Sequence, residues 1–427
     1  MSDNQALLVR RERLLGKNMS LFYNDPVHLV RGEGVWLWDA DGKRYLDCYN
    51  NVPHVGHCHP RVVEAIARQA ATLNTHTRYL HEGILDYVER LTGTFDASLN
   101  AAILTCTGSE ANDVALRIAQ ALTGKTGVIA TDFTYHGNTT AVSQLSTRMP
   151  PVGGHGGHVR HVPAPDSYRP LGGEAGEAFA DAFAAEVEKA IASLQESPYG
   201  FSALIIDPFF ANEGFPDLSS GFLAKTVAAV RKAGGIVIAD EVQPGFGRTG
   251  THMWGHQRAG IVPDVVTLGK PMGNGHPVGG VIANIDAINA FRKAFRYFNT
   301  FGGNPVSCAA ANAVLDVLQD EKLQDNALAV GEYTRAGFGR LSDKHALIGN
   351  IRGSGLFMGI ELVLDRATKE PASDITTRVI NGMRKRGVLM GKLGIHQNTT
   401  KIRPPMPFSK ENAEYMLSIL DDVLSGL

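Results

Sequence analysis

Cysteine is scarce: four in 427 residues, Cys48, Cys58, Cys106 and Cys308, scattered and without Cys-x-x-Cys spacing. In so long a chain they read as reduced thiols and therefore as a reducing compartment. A dominant charge of either sign is also missing. The 41 basic and 43 acidic residues are interspersed to a net charge of -2, which invites neither nucleic acid nor an acidic membrane. No stretch approaches the roughly 20 apolar residues that a membrane helix needs. The amino terminus, MSDNQALLVRRERLLGKN, lacks the apolar core of a signal peptide. No internal repeat is visible. The expectation is a soluble, cytoplasmic protein.

What is present is an ordinary globular balance, 44% hydrophobic and 20% charged. The length calls for two or three compact units. Residues 1–60 contain GEGVWLWDADGKRYLDC, an alternating segment with a turn at Asp41-Gly42, which signals a hairpin. From residue 61, helical stretches alternate with short apolar runs such as Ala203–Ile206 and Ile236–Ala239, which suit buried parallel strands. The alternation predicts an α/β fold with a mostly parallel, doubly wound sheet across residues 61–325. Residues 306–338 read as one continuous helix. Residues 326–427 form an α+β tail expected to join residues 1–60 in a smaller domain. The Gly/His stretch Val152–His161 reads as a solvated loop rather than a metal site.

In an open parallel sheet, ligands sit at the carboxyl ends of the strands, and three such ends carry pointed chemistry. After Leu104-Thr105-Cys106, the run Thr107-Gly108-Ser109-Glu110 has capping-box spacing. A helix starting there offers free N–H groups to a phosphate, although most Gly-Ser turns before helices are only turns. Asp240 closes an apolar strand, where an anion is costly unless a cation meets it; by itself it would pass for an exposed strand end. Lys270 ends a third strand, ahead of Pro271 and two glycines. A lysine so placed usually reaches solvent, but one held inward would lose protons readily and act as nucleophile and base. Together the three suit one molecule, pyridoxal 5'-phosphate. It has a phosphate for the helix, a ring nitrogen for Asp240 and an aldehyde for Lys270.

The chain resembles the class-III aminotransferase family of fold-type-I pyridoxal-phosphate enzymes, from about Val30 onward. The motifs are Thr107-Gly108-Ser109-Glu110-Ala111-Asn112, Tyr135-His136-Gly137, Asp240-Glu241-Val242-Gln243, Gly269-Lys270 and Thr300-Phe301-Gly302-Gly303-Asn304-Pro305. The resemblance implies that Gly108 and Ser109 hold the cofactor phosphate, that Tyr135 covers the ring, and that Asp240 pairs with its nitrogen. It further implies that Gln243 contacts the ring hydroxyl, that His136 belongs to the same cofactor set, and that Lys270 is joined to the aldehyde. Thr300 would reach the phosphate held by a neighbouring subunit, so the family's active unit is a homodimer, with pairing into tetramers left open.

Narrower stretches look like the ethanolamine-phosphate phospho-lyase branch: Lys270–Pro277, Asp47–Pro60, and Leu73–His81. Ile206-Asp207-Pro208 departs by having Asp where many relatives have Glu, and Asn212-Glu213-Gly214 departs from the phospho-lyase pattern. The branch implies elimination of phosphate from O-phosphoethanolamine or a close phosphorylated amine; the alternative is transamination with alanine or an ω-amino donor. In Lys401-Ile402-Arg403, an extended backbone puts Lys401 and Arg403 on one face. Arg403 suits a carboxylate or a phosphate equally, and Lys401 reads as a surface charge. Tyr49 and Asn50 are candidate phosphate contacts, and Arg78 either reaches the same pocket or ties the two domains together. His54, His57 and His59 are closely spaced, but the segment matches a substrate-side turn of the family rather than a metal site.

Overall fold

The computed structural model describes residues 3–17 and 20–427. Its centre is a seven-stranded sheet in the order Ala101–Thr105, Gly279–Ala283, Val265–Leu268, Ile236–Asp240, Phe201–Ile206, Gly127–Thr131, Val159–Val162. Neighbours are parallel except at Gly279–Ala283, which runs antiparallel to the strand on either side. The other six strands therefore point one way, and their carboxyl ends share one edge.

Successive residues of each strand face opposite sides. Ile103, Ile238, Val265 and Val281 enter a core under the helices Gly108–Thr123 and Ile285–Ala294. Ile129, Leu204 and Val237 enter the opposite core under Glu177–Gln195 and Ala224–Lys232. Burial on both faces is why these strands read as unbroken apolar runs, and it makes the sheet doubly wound.

Two smaller sheets flank it. The hairpin expected at Asp41-Gly42 joins Trp36–Asp39 to Arg44–Asp47, with Gly42 at φ 80°, where glycine is at ease. Leu29–Glu33 pairs with the first of these strands, and Val388–Leu389 adds in parallel to the second. Segments from both ends of the chain thus share a sheet. The other contains Ile348–Ser354, Phe357–Leu362, Thr399–Lys401 and Gly391–Leu393.

Two elements differ from the sequence expectation. The Gly/His stretch turns into strand before it ends: Val159–Val162 pairs with Gly127–Thr131 at the edge of the large sheet. An edge strand of four residues with only its two end residues buried leaves no periodicity to read. Residues 306–338 are not one helix but parts of two, Pro305–Asp320 and Leu323–Lys344, separated by Lys322 in the left-handed conformation at φ 50°. The first packs on Pro60–Thr72 and the second on Lys410–Ser425. The break accompanies a change of packing partner, and no glycine or proline marks it. Among the described residues, no helix is long and apolar enough to cross a membrane.

Candidate active site

The turn before Gly108–Thr123 is capped as its spacing predicts. The Thr107 hydroxyl accepts from the Glu110 N–H at 3.1 Å, while the Glu110 carboxylate accepts from the Cys106 N–H at 2.7 Å. The Gly108 and Ser109 N–H groups, ahead of that bond, face the helix entrance where an anion would sit. A Cβ on Gly108 would lie 2.9 Å from the Val242 side chain, and one on Gly137 would lie 2.5 Å from Ser109 Oγ. Gly108 thus lets Val242 approach the turn, and Gly137 lets the loop after Gly127–Thr131 lie against it, where Ser109 Oγ donates to Asn138 Oδ1 at 3.1 Å.

Asp240 is only 4% exposed, yet it is fully engaged. Its Oδ2 accepts from Asn112 Nδ2 at 2.9 Å and meets His136 Nδ1 at 2.7 Å, while Oδ1 accepts from the Val242 N–H at 3.0 Å. Asn112 is fixed in turn by the Thr267 hydroxyl, which donates to its Oδ1 at 2.7 Å. His136 Nε2 lies 2.9 Å from Thr134 Oγ1. His136, expected to touch the cofactor, is itself buried behind Asp240, the position of a group that orients the carboxylate. Two more buried carboxyls lie nearby. Burial and the Glu213 charge push the Asp207 carboxyl well up. Burial also pushes Glu213 up, against the pull of the Thr131 and Thr134 hydroxyls and of His136.

Lys270 follows the strand Val265–Leu268 and lines a cavity of about 800 Å³. Gly269 allows the close approach, since a Cβ there would sit 3.2 Å from Gly108 Cα. Burial first, and the Arg403 charge second, lower the Lys270 amine to about 8, against the opposing pull of Asp240 and Asp207. Tyr49, Tyr135, Gln243, Lys401 and Arg403 line the same cavity.

Lys401 is a correction. It is 6% exposed rather than a surface charge, because the strand Thr399–Lys401 and its continuation run beneath the cavity. Ile402 points into the core, so Lys401 and Arg403 both turn the other way. Lys401 Nζ donates to Gln243 Oε1 at 3.1 Å, and Arg403 Nη1 donates to the same oxygen. Burial and the charges of Arg403 and Lys270 lower the Lys401 amine well below its usual value. Among the described residues, neither cation forms an ion pair with a carboxylate. The Arg403 guanidinium also lies 5.2 Å from the centre of the Tyr49 ring.

Seven expected residues do not line this cavity: Gly108, Ser109, His136 and Asp240 sit in the turn and buried cluster just described, Asn50 and Arg78 lie elsewhere, and Thr300 was expected at a neighbouring subunit's cofactor rather than here. Asn50 Oδ1 instead accepts from the Val52 N–H at 3.4 Å, in a local turn. Arg78 stacks over the Phe298 ring at 3.8 Å, and Thr300 is exposed on the adjoining loop. The three histidines are dispersed: His54 Nε2 lies 2.8 Å from the Phe246 carbonyl oxygen, His57 Nε2 2.7 Å from Asp47, and His59 Nε2 3.0 Å from Glu321. Asn112, Thr134 and Thr267 were given no role by the sequence reading, because a buried hydroxyl or amide looks in a sequence like a surface one.

The class-III aminotransferase family model matches residues 22–424. The chain belongs to the class-III aminotransferases. It has their pyridoxal-phosphate fold type I, and pyridoxal phosphate is its cofactor. The site fits that molecule: a glycine-lined helix turn could take the phosphate, buried Asp240 the ring nitrogen, and Lys270 the aldehyde. A solved structure described as a phospholyase from Arthrobacter in complex with phosphoethanolamine is 44% identical, with a TM-score of 0.94 over 99% of this chain and 100% of that one. An alanine–glyoxylate aminotransferase 2-like protein of Drosophila melanogaster is 40% identical, over 98% of this chain and 86% of the relative. An ethanolamine-phosphate phospho-lyase homolog of Caenorhabditis elegans is 37% identical, over 99% and 94%.

Proposed function

We propose that this class-III enzyme is a phospho-lyase that removes phosphate from O-phosphoethanolamine or a close phosphorylated amine. Acetaldehyde and ammonia are the other products, after hydrolysis. The observation that carries this reading is the buried pair Lys401 and Arg403, an amine and a guanidinium donating to one amide oxygen, with no ion-paired carboxylate among the described residues. A carboxylate monoanion suits a single guanidinium, whereas a phosphate dianion uses both charges. The Arthrobacter phospholyase and the nematode homolog support the same direction.

When bound, the cofactor supplies an electron sink for the carbon that loses a proton. The Lys270 amine, once released by the substrate, takes that proton; its lowered value of about 8 gives it enough free base near neutrality. Asp240, oriented by His136 and Asn112, keeps the ring nitrogen protonated. Tyr135 would cover the ring, Gly108 and Ser109 would hold the cofactor phosphate, and Gln243 would offer its Nε2 to the ring hydroxyl, since its Oε1 accepts from Lys401 and Arg403. Tyr49 and Arg403 face the substrate phosphate.

Pure enzyme given O-phosphoethanolamine and no keto-acid should release phosphate and acetaldehyde in equal amounts. No release above the cofactor-free control would remove the reading. The second reading is transamination, favoured by the Drosophila relative's name and by Arg403, which suits a carboxylate as well. It requires turnover that depends on an added keto-acid or aldehyde acceptor.

The proposal includes a homodimer. Thr300 and Arg78 share a face with the exposed apolar residues Tyr79, Leu80, Phe298 and Phe301, and a second copy there would bring Thr300 to its partner's cofactor phosphate. Light scattering should give twice the chain mass, falling to one chain in Leu80→Asp. A cytoplasmic location is proposed on the four free cysteines, although an Arabidopsis thaliana relative at 37% identity is named mitochondrial.

A further inference from the structure

Elimination needs one proton removed and one delivered. Lys270 takes the first, and the second must reach the oxygen that leaves with phosphorus, since a phosphate trianion is a poor leaving group near neutral pH. The cavity holds few donors. Arg403 cannot release a proton in a protein. Lys392 also lines the cavity, but it is only half-buried and bonds Thr377 on the helix Ser373–Lys385, away from the acceptor that Lys401 shares with Arg403. Tyr135, on the loop after Gly127–Thr131, is 46% exposed. Lys401 stands apart. It is buried, shares an acceptor with Arg403, is near enough to Lys270 for that charge to lower it, and has one hydrogen bond, to Gln243 Oε1. Two of its three N–H bonds are thus free for a ligand.

We propose that Lys401 is the proton donor to the departing phosphate, a role that rests on the phospho-lyase reading above. The C–H bond on the amine-bearing carbon breaks as its proton passes to Lys270 Nζ. A carbon–carbon double bond forms, the neighbouring C–O bond breaks, and its electron pair stays on oxygen. That oxygen takes a proton from Lys401 Nζ, so hydrogen phosphate leaves and Lys401 becomes a neutral amine. Proton exchange between the two lysines and solvent restores both. Burial and the neighbouring cations, which make Lys401 part with a proton readily, suit a donor, and the incoming dianion favours its charged form until transfer. Arg403 remains as the fixed charge that the product phosphate leaves behind.

The test compares wild-type, Lys401→Arg and Lys401→Met holoenzymes on O-phosphoethanolamine and on its sulfate analogue, 2-aminoethyl hydrogen sulfate, whose leaving group needs no proton. Visible cofactor absorbance and the urea midpoint check that each variant is folded and loaded. Lys401→Arg keeps the charge but cannot donate. It should lose about a hundredfold or more in kcat on the phosphate ester, with KM within a few fold, less than about tenfold on the sulfate ester, and the basic limb of the wild-type kcat–pH profile. Unchanged turnover of the phosphate ester, an equal loss on both esters, or a retained basic limb would overturn the role. If the sulfate ester is not turned over, the pH profile decides. Wild-type enzyme that releases no phosphate removes the phospho-lyase reading itself, a result distinct from phosphate release that Lys401→Arg leaves intact.

Discussion

The Lys270 amine gives a quantitative test of the site's electrostatics. An ordinary lysine titrates at 10.5, and this one is lowered to about 8. At pH 7 the neutral fraction is then about one in ten rather than about one in 3,000, a gain of about 300-fold in the form able to attack an aldehyde. Apoenzyme should therefore capture pyridoxal phosphate with a rate that climbs through about pH 8 and levels above it. The sign follows from the cause: burial and a nearby cation both disfavour the ammonium. Arg403→Met removes the second cause, so the midpoint should move up by roughly one unit, and capture at pH 7 should slow about tenfold. Stopped-flow absorbance at the visible band, from pH 6 to 10.5, reads both enzymes. A wild-type rate still rising tenfold per unit at pH 9.5, or a midpoint that Arg403→Met moves downward, would refute the reasoning.

Other perturbations follow from the same contacts. Asp240→Asn keeps hydrogen-bonding shape but loses the charge; turnover should fall on the order of a hundredfold while bound cofactor is still seen in the absorbance spectrum. Gly137→Ala places a methyl 2.5 Å from Ser109 Oγ at φ 142°, so the apparent Kd for pyridoxal phosphate should rise by about tenfold or more, measured by absorbance titration. Arg248 is completely buried, donating to the Leu356 and Pro404 carbonyls at 3.1 and 2.6 Å and meeting His54 at 3.0 Å. Arg248→Met strands those acceptors and should cost about 2–4 kcal/mol in urea unfolding.

The large sheet was legible because strands buried on both faces must be apolar throughout, and because polar residues at their ends then stand out. Thr107 was found on capping-box spacing, Asp240 and Lys270 on that contrast, and each spoke for a cofactor only when the three strand ends were taken together. Lys401 was misread for the same reason in reverse: its strand is three residues long and polar, Thr-Thr-Lys, yet all three are buried. The supports of Asp240, namely Asn112, Thr134 and Thr267, come from three separate segments, and only the folded sheet edge brings them together. Tyr135 and Gln243 were reached through family resemblance, since an aromatic or an amide has no spacing of its own. The break at Lys322 had no local signal, being a matter of which helix packs where.

Of the three lysines that line the cavity, two have distinct work: Lys270 holds the cofactor and Lys401 meets the substrate. Borohydride reduction of the holoenzyme, digestion and mass spectrometry of the peptides tests that division directly. The predicted result is one phosphopyridoxyl group per chain, on Lys270. A label on Lys401, or no label on a protein that binds the cofactor, would contradict it.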